Sequence, residues 1–106
     1  MSLIYTTHEA DGIDFLCYPI TFGNLSGAVS MLGGTSAVDA YSLRSGAKFS
    51  GVASILAENS VRCTFAGWSL PDDTYSVQTR GTPAGYSEQT LLESTWIVKK
   101  SAGTKP

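Results

Sequence analysis

The chain has 106 residues, of which 42% are hydrophobic and 15% are charged, and its formal net charge is −2. A chain of this length is expected to form one domain that buries roughly 60–70% of its unfolded surface, without help from a metal or a disulfide. Three lysines lie in the last eight residues, so the rest of the chain is acidic, which argues against a nucleic-acid-binding surface.

The N-terminal half predicts strands separated by turns. Residues 1–12 change from apolar to polar and acidic, and we expect a flexible N-terminal arm there. Alternating side chains predict a strand at residues 13–20, which ends, bulges or lies at an edge at Pro19, because proline cannot donate a ladder hydrogen bond. A short strand is predicted at residues 28–32. Residues 35–44 fit helical turns or an irregular edge strand, and their Ser, Thr and Asp content favours strand or loop.

The C-terminal half has the clearest pattern. One strand is predicted at residues 48–56, and residues 61–80 are typical of a strand, a corner and a second strand. The corner carries Trp68 and a Pro-Asp-Asp sequence that favours a tight reversal. The last strand is predicted at residues 88–98, with apolar residues on both of its faces. Residues 99–106 are expected to form a mobile basic tail.

Six to eight short strands, frequent turn signals and the lack of a strong helical pattern predict an all-β domain over residues 13–98. We expect two sheets packed as a small β-sandwich, with a small closed barrel as the alternative. Cys17 and Cys63 fall at apolar-flanked strand positions, which indicates buried free thiols or an inter-sheet disulfide of the antibody type. The lack of a signal-peptide pattern favours free thiols.

The residue types that catalysis needs are sparse. The single histidine, His8, lies in the expected arm, where no neighbour would hold it against a nucleophile. Asp72 and Asp73 are adjacent, whereas glycoside hydrolysis needs carboxylates that flank the substrate from about 5–10 Å apart. No glycine motif for phosphate binding occurs. The sequence predicts a protein that is not an enzyme and has no cofactor or metal; an enzyme that uses His8 with nearby acids is the weakest alternative.

Two kinds of binding surface are compatible with the sequence. The apolar residues on both faces of the last strand indicate contact with other protein subunits, in a homo-oligomer or a larger assembly. The candidate contact residues are Leu91, Glu93, Trp96 and Ile97. The alternative is a carbohydrate-binding module in which exposed aromatic rings stack on sugars. Its candidate residues are Tyr41, Tyr86 and Trp96.

Several short motifs resemble one family. They are LSGAV at residues 25–29, the strand at residues 61–65, GWSLPDDTYSV at residues 67–77, Gly85 in the following loop, and WIV at residues 96–98. Over roughly residues 20–98, the chain resembles the immunoglobulin-like N-terminal domains of phage baseplate and tail-fibre proteins. It departs from the family at the second aspartate of PDD, where these domains usually have glycine.

The resemblance implies an immunoglobulin-like β-sandwich and a non-catalytic structural component of a virion. Its implied partners are tail or baseplate proteins, and its implied location is the virion, or the bacterial cytoplasm before assembly. No stretch of the sequence predicts a transmembrane helix or a signal peptide, so no membrane contact is expected. The shared motif positions are core and corner positions, so no functional residue is carried over.

Overall fold

The computed structural model of the protein describes residues 3–22 and 29–103. The regular elements found in these two ranges are all strands. They are β1 Leu3–His8, β2 Ile13–Cys17, β3 Thr35–Ser42, β4 Lys48–Ser50, β5 Val52–Ala57, β6 Ser60–Phe65, β7 Asp73–Thr82 and β8 Gln89–Lys99.

The eight strands form two sheets. The larger sheet has the strand order β1-β8-β7-β3-β4, and the smaller sheet has the order β2-β6-β5. Neighbouring strands are antiparallel except β1 and β8, which run parallel. The predicted all-β class is confirmed, and the two sheets are consistent with a β-sandwich. Within the described ranges, no helix is long and apolar enough to cross a membrane.

The core lies between the sheets because their strands turn alternate side chains toward each other. On β7, Tyr75, Val77 and Thr79 are at most 1% exposed, and the residues between them are more exposed. On β6, Val61 and Cys63 are completely buried. This period of two is already visible in the sequence, and it predicts both strands correctly.

Trp96 packs between the two sheets at one side of the core. Its ring is stacked with Tyr5 of β1 at a centroid distance of 4.7 Å and with Phe15 of β2 at 6.0 Å. The indole Nε1 donates a 3.1 Å hydrogen bond to the Ser94 hydroxyl, which satisfies the polar atom of the side chain. Since Trp96 is only 8% exposed, its ring is a central contact among β1, β2 and β8.

Tyr75 closes the corner between β6 and β7. Its hydroxyl donates a 2.6 Å hydrogen bond to the carbonyl of Pro71, and Leu70 is buried beneath the corner. Trp68 has a φ angle of 66°, which is unusual for a residue other than glycine. The Trp68 N–H donates a 2.6 Å hydrogen bond to the carbonyl of Glu9. The corner is therefore fixed to the loop between β1 and β2.

The structure differs from the flexible arm predicted for residues 1–12, of which residues 1 and 2 lie outside the described residues. Leu3–His8 forms β1, which pairs in parallel with β8 along its whole length. The strand is held by its backbone pairing with β8 and by the ring of Tyr5, which stacks on Trp96 while staying 41% exposed. Three apolar residues at the start of the chain are too short a pattern to predict this pairing.

The strand predicted at residues 48–56 is in fact two strands that belong to different sheets. β4 pairs with β3 of the larger sheet, and β5 pairs with β6 of the smaller sheet. Gly51 lies between them, and its N–H donates a 3.0 Å hydrogen bond to the carbonyl of Val38. A Cβ atom on Gly51 would lie 2.6 Å from the carbonyl oxygen of Thr64. Glycine allows the close backbone approach at which the chain changes sheets.

Two other segments also differ from their predictions. Residues 35–44 contain β3, so the strand interpretation is correct, but β3 lies between β7 and β4 instead of at an edge. Residues 29–32 form no strand, and Met31 is instead fully buried in a turn; residue 28 lies outside the described residues.

The predicted mobile tail is described only in part. Lys99 ends β8, and the Ser101 N–H donates a 3.0 Å hydrogen bond to Glu9 Oε1. Residues 104–106 lie outside the described residues.

Asp73, at the start of β7, carries a charge that the fold stabilises. Its carboxylate accepts hydrogen bonds from the Ser42 hydroxyl at 2.7 Å and from the Thr74 N–H at 2.8 Å. The Ser42 bond is the main reason that the pKa of Asp73 lies below its ordinary value of 3.8. Such a carboxylate stabilises the fold above its unfolded pKa, and this contribution is lost as the pH falls through the lower, folded pKa.

We therefore expect Asp73→Asn to lower the free energy of unfolding near neutral pH, with the difference from wild type shrinking below about pH 4. Urea unfolding followed by circular dichroism at a series of pH values measures this difference. Asp72→Asn, at the exposed neighbouring position, is the matched control, and we expect it to change stability less. A loss in Asp73→Asn that does not depend on pH would show that the charge is not stabilised by the fold.

Candidate functional site

Two edge strands meet at one side of the molecule. Within the described part of the chain, β1 pairs only with β8 and β2 pairs only with β6, so each has one open side. The stacking of Tyr5 and Phe15 on Trp96 places both edges on the same side. A cleft of about 210 Å³ opens between them. Most of the residues that line it have apolar or aromatic side chains, although their polar atoms supply slightly more than half of its surface; they include Leu3, Tyr5, Leu16, Tyr18, Ile20 and Leu92.

Large apolar side chains around this cleft are exposed to solvent. Of the residues that line it, Leu3 is 46% exposed and Tyr18 is 64% exposed, although burying an apolar side chain is favourable. Ile4, on the opposite face of β1, is 67% exposed. Several exposed apolar side chains on two neighbouring edge strands indicate a site of contact with other molecules. We define the apolar flank as Leu3, Ile4, Tyr5, Leu16 and Tyr18.

β1 lacks the features that protect an edge strand from pairing with another chain. The opposite edge of the same sheet, β4, has only three residues and begins with Lys48. β1 has six residues and contains no Asp, Glu, Lys or Arg. A short charged edge resists pairing, whereas a longer uncharged edge presents a row of unpaired N–H and C=O groups. Of these two edges, β1 is the better template for an added strand.

The four candidate contact residues on β8 do not form one surface. Glu93 and Ile97 lie on the outer face of the larger sheet, whereas Trp96 faces the core. A register shift between β7 and β8 turns Leu91 toward the core, where its Cδ1 lies 2.8 Å from the position of a Cβ on Gly81. Much of the apolar character on both faces of β8 is therefore explained within the chain. A contact of Glu93 or Ile97 with a partner stays a prediction.

The three candidate rings for sugar stacking do not share an exposed face. Trp96 is buried between the sheets, so the prediction of an exposed ring is wrong for this residue. Tyr41 is half-buried on β3, opposite Ser76, on the other face of the larger sheet. Tyr86 lies in the turn between β7 and β8 and is 37% exposed. The structure does not bring these rings together as a sugar platform requires.

His8 and the acids near it are not arranged as a catalytic group. The His8 Nδ1 lies 4.0 Å from the Asp11 carboxylate, and both side chains are largely exposed. Asp14 is bound instead to Arg62, with hydrogen bonds of 2.6 and 3.1 Å. That pair is the main reason that the pKa of Asp14 is lowered. Within residues 3–22 and 29–103, no three side chains of His, Cys, Asp or Glu are placed to hold a metal ion.

The two cysteines lie side by side, which sequence reasoning could not establish. Both belong to the smaller sheet, on the neighbouring strands β2 and β6, so the hypothesis of an inter-sheet disulfide is wrong. Cys63 Sγ lies 3.3 Å from the Thr79 hydroxyl of β7. A hydrogen bond between the thiols lowers the pKa of Cys17 to about 7, against the opposing effect of burial. The same bond, together with burial, raises the pKa of Cys63.

A comparison of the sequence with models of known protein families finds no match, and a comparison with curated proteins finds none either. The geometry of the apolar flank is therefore the main indication of function.

Proposed function

We propose that this protein is a non-catalytic assembly subunit that self-associates through the apolar flank. The observation that carries the proposal is β1, an edge strand of six residues without Asp, Glu, Lys or Arg, on which Leu3 and Ile4 are exposed and Leu3 borders the cleft. Natural proteins usually shorten, charge or cover such an edge, because it otherwise pairs with another chain. An edge left open in this way fits a subunit whose contact is completed by a neighbour.

A second copy of the chain is the partner to which the proposal commits. A strand added to β1 gains main-chain hydrogen bonds, and apolar side chains from the added strand would cover the flank and fill the cleft. Closed two-fold dimers are by far the commonest homo-oligomers, and they use the same surface on both subunits. The exposed part of β1 satisfies this requirement, because no charged side chain of the strand would face its own copy.

We further propose that the sandwich is immunoglobulin-like. If β2 is taken as strand B of that fold, the smaller sheet has the order B-E-D and the larger sheet contains G-F-C-C′, as in immunoglobulin domains. The hydrogen bond from Tyr75 to the Pro71 carbonyl resembles their tyrosine corner. Two features depart from the pattern: β1 lies beside β8, and Cys63 lies on strand E instead of strand F.

We propose that the assembly to which this subunit belongs is a phage or prophage tail. It is supported by the resemblance of residues 20–98 to baseplate and tail-fibre domains. The open edge of β1 also suits repeated contacts between identical subunits. Detection of the chain in purified tail particles by mass spectrometry tests this proposal, and its consistent absence from such particles would contradict it.

Ile4→Lys tests the assembly directly. Lysine on an edge strand opposes pairing, so we expect the variant to stay monomeric at concentrations where the wild type forms a dimer. Val52→Lys on β5 is the matched control, because Val52 is 64% exposed and Ile4 is 67% exposed. Light scattering over a concentration series, at low and high salt, gives the masses.

Because the proposed contact is apolar, the wild-type dimer should persist at high salt. Either of two results would contradict the proposal. One is a wild-type protein that stays monomeric at every concentration. The other is an Ile4→Lys variant that assembles as well as the Val52→Lys control.

A further inference from the structure

We propose that Cys17 and Cys63 form an oxidisable dithiol, in which a small hydroperoxide enters the cleft and reacts at Cys17, and Cys63 then closes a disulfide. The proposal goes beyond assembly and does not depend on it. Its basis is the placement of two free thiols side by side, one of which borders the cleft.

The strand register places the two thiols next to each other. Cys17 pairs with Val61, and Cys63 pairs with Phe15, so the cysteines are diagonal neighbours on antiparallel strands. Both side chains face the core, close enough that the Cys63 thiol can donate a hydrogen bond to the Cys17 thiolate. The Thr79 hydroxyl, 3.3 Å from Cys63 Sγ, extends this polar contact across to β7.

The surroundings of the two thiols differ, and the difference sets the order of reaction. Both thiols are buried, but Cys17 is 4% exposed and forms part of the cleft wall, whereas Cys63 is completely buried and does not line the cleft. Neighbouring Leu16 and Tyr18 are more than half exposed, so the cleft is open to solvent beside Cys17. The cleft has a volume of about 210 Å³, and none of the described residues that line it is charged, so a small uncharged oxidant fits it better than a large charged one such as oxidised glutathione.

The hydrogen bond between the thiols also favours Cys17 as the nucleophile. A hydrogen bond to the ionised form of a group lowers its pKa, and the lowered pKa of Cys17 makes part of it thiolate near neutral pH. Cys63 supplies this bond and keeps its own proton, in agreement with its raised pKa. A thiol of lowered pKa, placed at a cleft wall beside a second thiol, combines two features of redox-sensitive cysteines, thiolate character and a nearby resolving thiol.

The chemistry balances in two steps. The Cys17 thiolate attacks one oxygen of the hydroperoxide, the O–O bond breaks, and the products are Cys17 sulfenic acid and, after protonation, water or an alcohol. The Cys63 sulfur then attacks the sulfenic sulfur, its proton leaves with the hydroxyl group as water, and the S–S bond forms. The two thiols together lose two electrons, which reduce the hydroperoxide.

The disulfide requires a small movement of β2. Diagonal neighbours on antiparallel strands are about 7–8 Å apart. Disulfides usually span Cα separations of about 4.4–6.8 Å, so the bond would be strained and easily reduced. β2 pairs only with β6 in the described part of the chain, so it can shift toward β6 without breaking a second ladder. These features fit a reversible disulfide better than a permanent structural one.

The test uses the folded wild-type protein and hydrogen peroxide. After treatment at neutral pH, the remaining thiols are alkylated under denaturing conditions, and the protein is analysed by intact mass and non-reducing peptide mapping. We expect a monomer that has lost two hydrogen atoms, with the Cys17 and Cys63 peptides linked. Dithiothreitol should restore both thiols.

Two variants separate the roles of the thiols. In Cys63→Ser, dimedone should trap a sulfenic acid at Cys17, because the resolving thiol is missing. In Cys17→Ser, we expect Cys63 to react at least about tenfold more slowly, because it is buried and protonated. Circular dichroism of each variant checks that the fold is kept.

A labelling experiment on the wild type tests the order without any substitution. Brief treatment with N-ethylmaleimide under native conditions should label Cys17 before Cys63. Equal labelling of the two thiols, or faster labelling of Cys63, would overturn the proposal. Peroxide treatment that gives only intermolecular disulfides, or no linked Cys17–Cys63 peptide, would overturn it as well.

Discussion

Trp96→Ala is expected to lower the free energy of unfolding by about 3–5 kcal/mol. The ring is 8% exposed and stacks with Tyr5 and Phe15, so its removal leaves a cavity among β1, β2 and β8. The substitution also leaves the Ser94 hydroxyl without its indole donor. Urea unfolding followed by circular dichroism measures the loss.

Leu43→Ala is the control for this experiment. Leu43 is 62% exposed, so we expect a change within about 0.5 kcal/mol. Similar small losses for the two variants would show that Trp96 is not a core residue. Such a result would also return Trp96 to the candidates for sugar stacking.

Gly12→Ala is expected to lower the free energy of unfolding by about 3 kcal/mol, more than an ordinary substitution in a loop. Gly12 has a φ angle of 70°, which is unfavourable for residues other than glycine. A Cβ atom there would also collide with the Phe65 carbonyl oxygen and lie 2.9 Å from the carbonyl carbon of Ala66. The loop before β2 would have to move away from the corner after β6.

Gly46→Ala separates the two causes of this loss. Gly46 has a φ angle of 76°, but a Cβ atom there would meet nothing within 4 Å. We expect Gly46→Ala to lower the free energy of unfolding only through the unfavourable φ angle, by about 1–2 kcal/mol. Equal losses in the two alanine variants, measured by urea unfolding, would mean that the loop and the corner are not packed as closely as the structure shows.

The strands that the sequence predicts well are those with one buried face. β6 and β7 alternate clearly because Val61, Cys63, Tyr75 and Val77 face the core. β2 ends at Cys17, shortly before Pro19, as expected where a ladder hydrogen bond cannot be made. In such strands, the burial of alternate side chains decides the conformation, and this alternation is visible in the local order of residues.

The elements that the sequence misses depend on contacts between distant segments. β1 forms because Tyr5 meets Trp96, which lies at the other end of the chain. The chain changes sheets at Gly51 because the carbonyl of Thr64 passes close to it. The register shift that turns Leu91 inward is set by its pairing with β7. The alternation of apolar and polar residues within one segment carries no information about any of these contacts.

The candidate site also depends on contacts between segments that are distant in the sequence. The apolar flank and its cleft combine β1, the end of β2 and the start of β8, and no one segment contains a recognisable motif. The sequence does predict a protein contact, but it places the contact on Leu91, Glu93, Trp96 and Ile97. The adjacency of Cys17 and Cys63 likewise follows from the register of β2 with β6.

Hydrogen exchange along β1 tests self-association through this edge most directly. Deuterium uptake is followed by mass spectrometry in dilute and concentrated wild-type protein, with peptides from β4 as the internal comparison. We predict that uptake in β1 slows as the concentration rises, because a second copy pairs with its open side, while uptake in β4 stays unchanged. Uptake in β1 that is the same at every concentration, or protection that appears at β4 instead, would contradict this account.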